Sequence, residues 1–170
     1  MKRRTNSSRR FAARGGFSLV EAIVVVIVVS LLVPPSVSML QQAQTSRMDS
    51  TNTLRAGVLA RAVMEQVLAD ASSPSASRGM AALANPTTYL DTGTTGLKAR
   101  LASVTSAYQT LGLSWDLSIG GLISQSGSAD ADSTKNIYRA VTVTVTWNSA
   151  RSGVGARSYA LSSLVTDLTP

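Results

Sequence analysis

From Leu19 to Val33 the sequence reads LVEAIVVVIVVSLLV, an apolar run broken only by Glu21 and Ser30. Such a run ends in a protein core or in a bilayer, and its flanks choose between them. Lys2, Arg3, Arg4, Arg9, Arg10 and Arg14 all precede it with no acid among them, and no basic residue follows until Arg47. That is a membrane-targeting pattern. From Phe17 to Val33 there are 17 residues, about 25 Å of helix at ~1.5 Å per residue, the short end of what crosses a bilayer. Near the centre each apolar residue favours insertion by roughly 0.3–0.6 kcal/mol and an acid opposes it by about 2.5–3.5 kcal/mol, so the run outweighs its one glutamate. The charge asymmetry predicts the N-terminus in the cytoplasm and everything after Val33 on the far side.

The same basic cluster explains the net charge. The chain of 170 residues carries +7, but without those six residues ten basic face nine acidic ones. The body is therefore not expected to bind nucleic acid. Neither cysteine nor histidine occurs, which removes disulfides, thiol nucleophiles, histidine-based triads and the usual nitrogen and sulfur metal ligands. No catalytic residue, metal site or cofactor is expected.

Glu21 is the anomaly of the run, because an ionised carboxylate in hydrocarbon needs a partner. No basic side chain lies between Phe17 and Arg47. A free, charged N-terminus at Phe17, its own or a neighbouring copy's, would match it, and that requires cleavage after Gly16. Snorkelling to the headgroups is the other way to satisfy the carboxylate.

Arg14-Gly15-Gly16-Phe17-Ser18-Leu19-Val20-Glu21-Ala22, followed by the apolar stretch, resembles the N-terminal signal of type IV prepilins and type II secretion pseudopilins. The resemblance implies a cut between Gly16 and Phe17 by a membrane-embedded prepilin peptidase and N-methylation of Phe17. It also implies pairing of Glu21 with the Phe17 amine of an adjacent subunit, and assembly of a filament by lateral packing of the apolar helices. Two other export signals are present in outline. A secretory peptidase would cut after the run at Ser36-Val37-Ser38, leaving Met39 first, although a glutamate opening the run is foreign to that signal. Ser8-Arg9-Arg10-Phe11 suggests twin-arginine export, although the run that follows is strongly apolar.

Pro34-Pro35 removes two helix donors and predicts a kink or break, with a second helix able to start at Pro35. From Ser36 to Ala71 the apolar positions Leu54, Val58, Ala62 and Val67, with Leu59 and Val63 beside them, predict one amphipathic helix. Arg55, Arg61, Glu65 and Asp70 fall on its opposite, solvated side. Residues 72–96, rich in Ser, Ala, Thr and Gly with Pro74 and Pro86, read as a long connection. Leu97, Leu101, Val104 and Tyr108 predict a short helix.

The period then changes to two. Leu111, Leu113, Trp115, Leu117 and Ile119 alternate with polar or small residues, and Gly120-Gly121 reads as a hairpin turn before Leu122-Ile123. Val141, Val143, Val145 and Trp147 alternate with threonines, and a last strand runs from about Ala156 to Val165. Asp130 and Asp132 stand two apart among hydroxyls, a spacing that oxygen ligands of calcium use and solvated turns use more often. Lys98 and Lys135 are the lysines a Ser-Lys dyad would need, without a serine spacing to single either out.

The expected architecture is α+β: a long N-terminal helix, membrane-spanning over 17–35 and amphipathic over 36–71, packed on an antiparallel sheet of three to four strands in a head spanning 72–170, with 1–16 a cleaved basic leader. The closing strands are similar to the heads of minor pilins of the V type and minor pseudopilins of the I type. The resemblance implies a structural, non-enzymatic subunit of a pilus or pseudopilus. Its partners would be prepilin peptidase, other subunits and the inner membrane, and it would lie first in the cytoplasmic membrane as a single-pass protein and then in a filament of the envelope or surface. The alternative is a monomeric, signal-anchored envelope protein whose head binds a ligand or partner.

Overall fold

A computed structural model describes residues 18–75, 77–151 and 153–166. Its elements are α1 (Leu19–Ala71), α2 (Met80–Leu83), α3 (Pro86–Asp91), α4 (Leu97–Gln109), β1 (Leu113–Ile123), β2 (Tyr138–Asn148) and β3 (Ala156–Thr166), with a single 3₁₀ turn at Ser133–Lys135 before β2. The three strands form one antiparallel sheet in the order β1-β2-β3, so the architecture is α+β with three strands. The chain divides after Gln42 into two units.

Helix α1 begins at Ser18, whose hydroxyl accepts the Val20 amide at 3.2 Å while its carbonyl accepts Ala22 N–H at 3.1 Å. This is an N-cap, and it places Glu21 at the third helical position, where the helix dipole favours an acid. The expected break at Pro34-Pro35 does not occur: both prolines lie inside the helix. Each still removes one backbone donor, but proline's fixed φ is itself helical. Extra hydrogen bonds also surround the doublet, where Ser30, Ser36 and Ser38 hydroxyls donate to the carbonyls of Val26, Leu32 and Pro35 at 2.7–2.8 Å.

Within the second unit α1 packs on the sheet through Ala56, Leu59, Ala60, Val63, Met64 and Val67. The buried face keeps Leu59, Val63 and Val67 of the predicted stripe but turns away from Leu54 and Val58. Leu54 and Val58 are 73% and 60% exposed, whereas Asp70, expected in solvent, is buried. Small residues at 56, 57 and 60 let the helix come close to the sheet: a Cβ on Gly57 would stand 3.8 Å from the Tyr159 ring. The opposing surface is the one the alternation predicted, with Val141, Val143, Val145 and Trp147 of β2 buried beside Leu113 and Leu117 of β1.

The expected turn at Gly120-Gly121 is absent. β1 runs through both glycines to Ile123, and the register slips between Ile119, opposite Val141, and Leu122, opposite Arg139. Two residues of β1 thus face the single Ala140, a β-bulge, for which a glycine pair is as well suited as for a turn. Arg139 donates to the Gly120 carbonyl across the bulge at 2.8 Å.

Residues 72–96 are not a plain connection. Met80 and Leu83 of α2 and Tyr89 and Leu90 of α3 join the core. Pro86, read as a breaker, occupies the first turn of α3, and the Asn85 side chain caps that turn by accepting the Thr88 amide. A proline's missing donor costs nothing where no helical bond would form. Helix α4 matches its predicted span, but its buried face runs through Leu97, Leu101 and Thr105, leaving Val104 exposed.

Candidate functional site

Every described residue from Ser18 to Gln44 is exposed. The side chains of Leu19, Ile23, Ile27, Leu31 and the intervening valines point outward on all sides of α1. A helix apolar all round has no stable surface in water and belongs in lipid or among other apolar helices. By length and composition α1 is the one described helix able to cross a membrane, and none of its most apolar window is buried inside the protein. The β-branched residues that fill it are poor helix formers in water. In hydrocarbon they have no alternative, because only a helix satisfies every backbone group within one segment.

Glu21 is the single charge between Phe17 and Arg47. It lies in the first turn of α1, and no cation pairs with it among the described residues. Gly16 and Phe17, the expected cleavage and methylation positions, lie outside the described residues. Position three after the Ser18 cap gives Glu21 a local role, favourable interaction with the helix dipole. That role accounts for the residue's place at a helix start. It supplies no counter-charge for a carboxylate in hydrocarbon.

Within the second unit the strongest polar constellation is one the sequence did not single out. Asp70 of α1 accepts hydrogen bonds from Arg100 Nη1 at 2.8 Å and Gln66 Nε2 at 3.0 Å through one oxygen, and from Tyr89 at 2.7 Å and Arg100 Nη2 through the other. Arg100 also donates through Nε to the Thr95 carbonyl at 3.0 Å and lies 5.9 Å from the centroid of the Tyr89 ring. Burial by itself raises Asp70, but the bonds from Arg100, Tyr89 and Gln66 outweigh it and hold the carboxyl below its ordinary value. Burial and then the adjacent Asp70 push the Tyr89 hydroxyl well above the usual tyrosine value. The Asp70 carboxylate accepts two bonds through each oxygen and faces the Arg100 guanidinium, so the cluster joins α1, α3 and α4. One signal for it was available: Asp70 follows the buried positions Val63 and Val67 at helical spacing.

A second polar contact closes the other end of this unit. Asp49 accepts the Ser149 hydroxyl at 2.7 Å and the Ala150 amide at 3.0 Å, with Arg157 Nε at 3.6 Å, fixing α1 to the turn between β2 and β3. The Ala150 and then the Ser149 hydrogen bonds lower the Asp49 carboxyl.

Asp130 and Asp132 spend their carboxylates on the loop itself. Asp130 accepts the Asp132 amide at 2.9 Å, and Asp132 accepts the Thr134 amide and hydroxyl at 3.1 and 2.6 Å. Among the described residues no three acidic, histidine or cysteine side chains gather to hold a metal ion. Lys98 pairs with Asp91 at 2.8 Å and Lys135 approaches Asp132 at 3.8 Å, so both ammonium groups face carboxylates. Comparison of the chain with protein-family models, curated proteins and solved structures gives no match.

Proposed function

We propose that the chain is a structural subunit, of the minor type, of a type IV pilus or type II secretion pseudopilus. Prepilin peptidase cuts it between Gly16 and Phe17 and methylates Phe17, and the subunit enters a filament through the apolar half of α1. The observation that supports this most is Glu21, with no cation paired to it among the described residues, at the start of an apolar helix and five residues after the Gly16-Phe17 junction. The new amine at Phe17 of a neighbouring copy supplies the missing cation. The head contributes contacts within the filament and no chemistry of its own.

Mass spectrometry of the protein from cell envelopes tests the first step, with a methylated Phe17 as the expected start. An intact Met1, or a start at Met39, overturns the proposal. Glu21→Gln tests the second step, because glutamine keeps the size and hydrogen-bonding capacity of glutamate at the third position of a capped helix and removes the charge, at a cost of only about 0.3–1 kcal/mol in helix-dipole interaction. The variant is expected to be processed and inserted but not incorporated. Normal incorporation of both Glu21→Gln and Glu21→Ala would overturn the pairing of Glu21 with the Phe17 amine, whereas absence of the native chain from any filament would favour the monomeric, signal-anchored protein.

A further inference from the structure

Helix α4 carries a second stripe besides the one it buries. Lys98, Ala102, Thr105, Ser106 and Gln109 recur at helical spacing, and with Ser114 and Trp115 of β1 they line a groove of about 230 Å³. Because β1 is an outer strand, the groove opens at a sheet edge. Three features specify what fits it.

The first is an unmade hydrogen bond. Thr105 is only 3% exposed and lines the groove, yet its hydroxyl has no partner among the described residues. That hydroxyl reaches the solvent of the groove, where a ligand able to donate or accept replaces water as its partner. The second is charge. Lys98 is the only ion in the lining, and Asp91 neutralises it at 2.8 Å. Of the other polar groups, the Ser106 hydroxyl already donates to the Ser103 carbonyl at 3.3 Å and the Ser114 hydroxyl is bonded to that of Thr146 at 2.7 Å, which leaves the Thr105 hydroxyl and the Gln109 amide, groups that both donate and accept and so favour a neutral, hydroxyl-bearing compound over an anion or cation. The third is the wall: Trp115 packs against the core but keeps part of its ring accessible, and together with Ala102 it offers an apolar surface beside the polar rim. The groove is smaller than the roughly 300–1,000 Å³ of drug-sized sites, which limits it to about one ring.

We propose that this groove binds one neutral sugar ring of a glycan, its C–H face against Trp115 and its hydroxyls toward Thr105 and Gln109. The inference does not depend on filament assembly.

The test uses the full chain in a detergent without sugar headgroups. Saturation-transfer NMR is recorded with the methyl glycosides of glucose, galactose and mannose and with N-acetylglucosamine, titrated to tens of millimolar. Saturable binding of at least one is expected. Thr105→Val, which keeps the shape and removes the hydroxyl, weakens it about fivefold, the loss of one neutral hydrogen bond, without lowering the thermal midpoint. Gln109→Ala, at an exposed position, weakens it similarly. No saturable binding of any of the four sugars, or binding unchanged in both variants, overturns the proposal.

Discussion

Replacing Asp70 by alanine removes the acceptor around which Arg100, Tyr89 and Gln66 are arranged. Breaking a buried ion pair by deleting one partner costs about 3–5 kcal/mol, because the other charge stays buried without compensation. The Asp70 side chain is 3% exposed and that of Arg100 17%. Water therefore reaches part of the abandoned guanidinium, and the lower end applies, about 3 kcal/mol. At roughly 3–4 °C per kcal/mol for a unit of this size, the thermal midpoint followed by circular dichroism falls by about 10 °C. Replacing both partners by apolar residues, Asp70→Leu with Arg100→Met, costs less than the sum of the single changes, since no lone charge remains. A fall below about 3 °C for Asp70→Ala, or additive losses in the pair, would refute the account of the cluster as a buried, charge-dependent joint. Its pH dependence has a determined sign on each side. Asp70 titrates below 3.8 when folded, so the unfolded chain takes up the proton first, and the stability this carboxylate adds is present above about pH 4 and lost as pH falls through the folded value. Tyr89 titrates above 10.0 when folded, so the unfolded chain loses that proton first and stability declines once pH exceeds about 10. Tyr89→Phe removes that alkaline contribution and leaves the acid limb set by Asp70.

Two further substitutions test the assigned packing. Leu59→Ala, at a fully buried position, lowers the unfolding free energy by about 2–5 kcal/mol, whereas Val58→Ala next to it, on the exposed side, changes it by less than about 0.5 kcal/mol; similar losses in denaturant titrations would contradict the orientation of α1. At Gly96 a Cβ would lie 2.6 Å from the Leu90 carbonyl oxygen and 2.7 Å from the Thr92 nitrogen, so Gly96→Ala forces the backbone between α3 and α4 apart and costs about 1–3 kcal/mol, while Gly121→Ala, with open space around its Cβ, leaves the thermal midpoint near that of the native chain.

The apolar run at 19–33, the alternation of Val141 to Trp147 and the class of the fold were legible in the chain, because each rests on composition or on a period of two that local geometry imposes. Periodicity was less informative about phase. Which side of α1 is buried depends on what covers it, and of the predicted apolar positions Leu59 and Val63 are covered whereas Leu54 and Val58 are left exposed. Punctuating residues were ambiguous for a related reason. Pro86 starts a helix, Pro34-Pro35 lies within one, and Gly120-Gly121 forms a bulge, since the same dihedral restriction or freedom serves several backbone contexts. Asp70 and Asp49 stayed hidden longest: their partners lie 30 and about 100 residues away, and a carboxylate is buried or solvated according to whether folding brings donors to it, a property of the assembled structure that no local pattern carries.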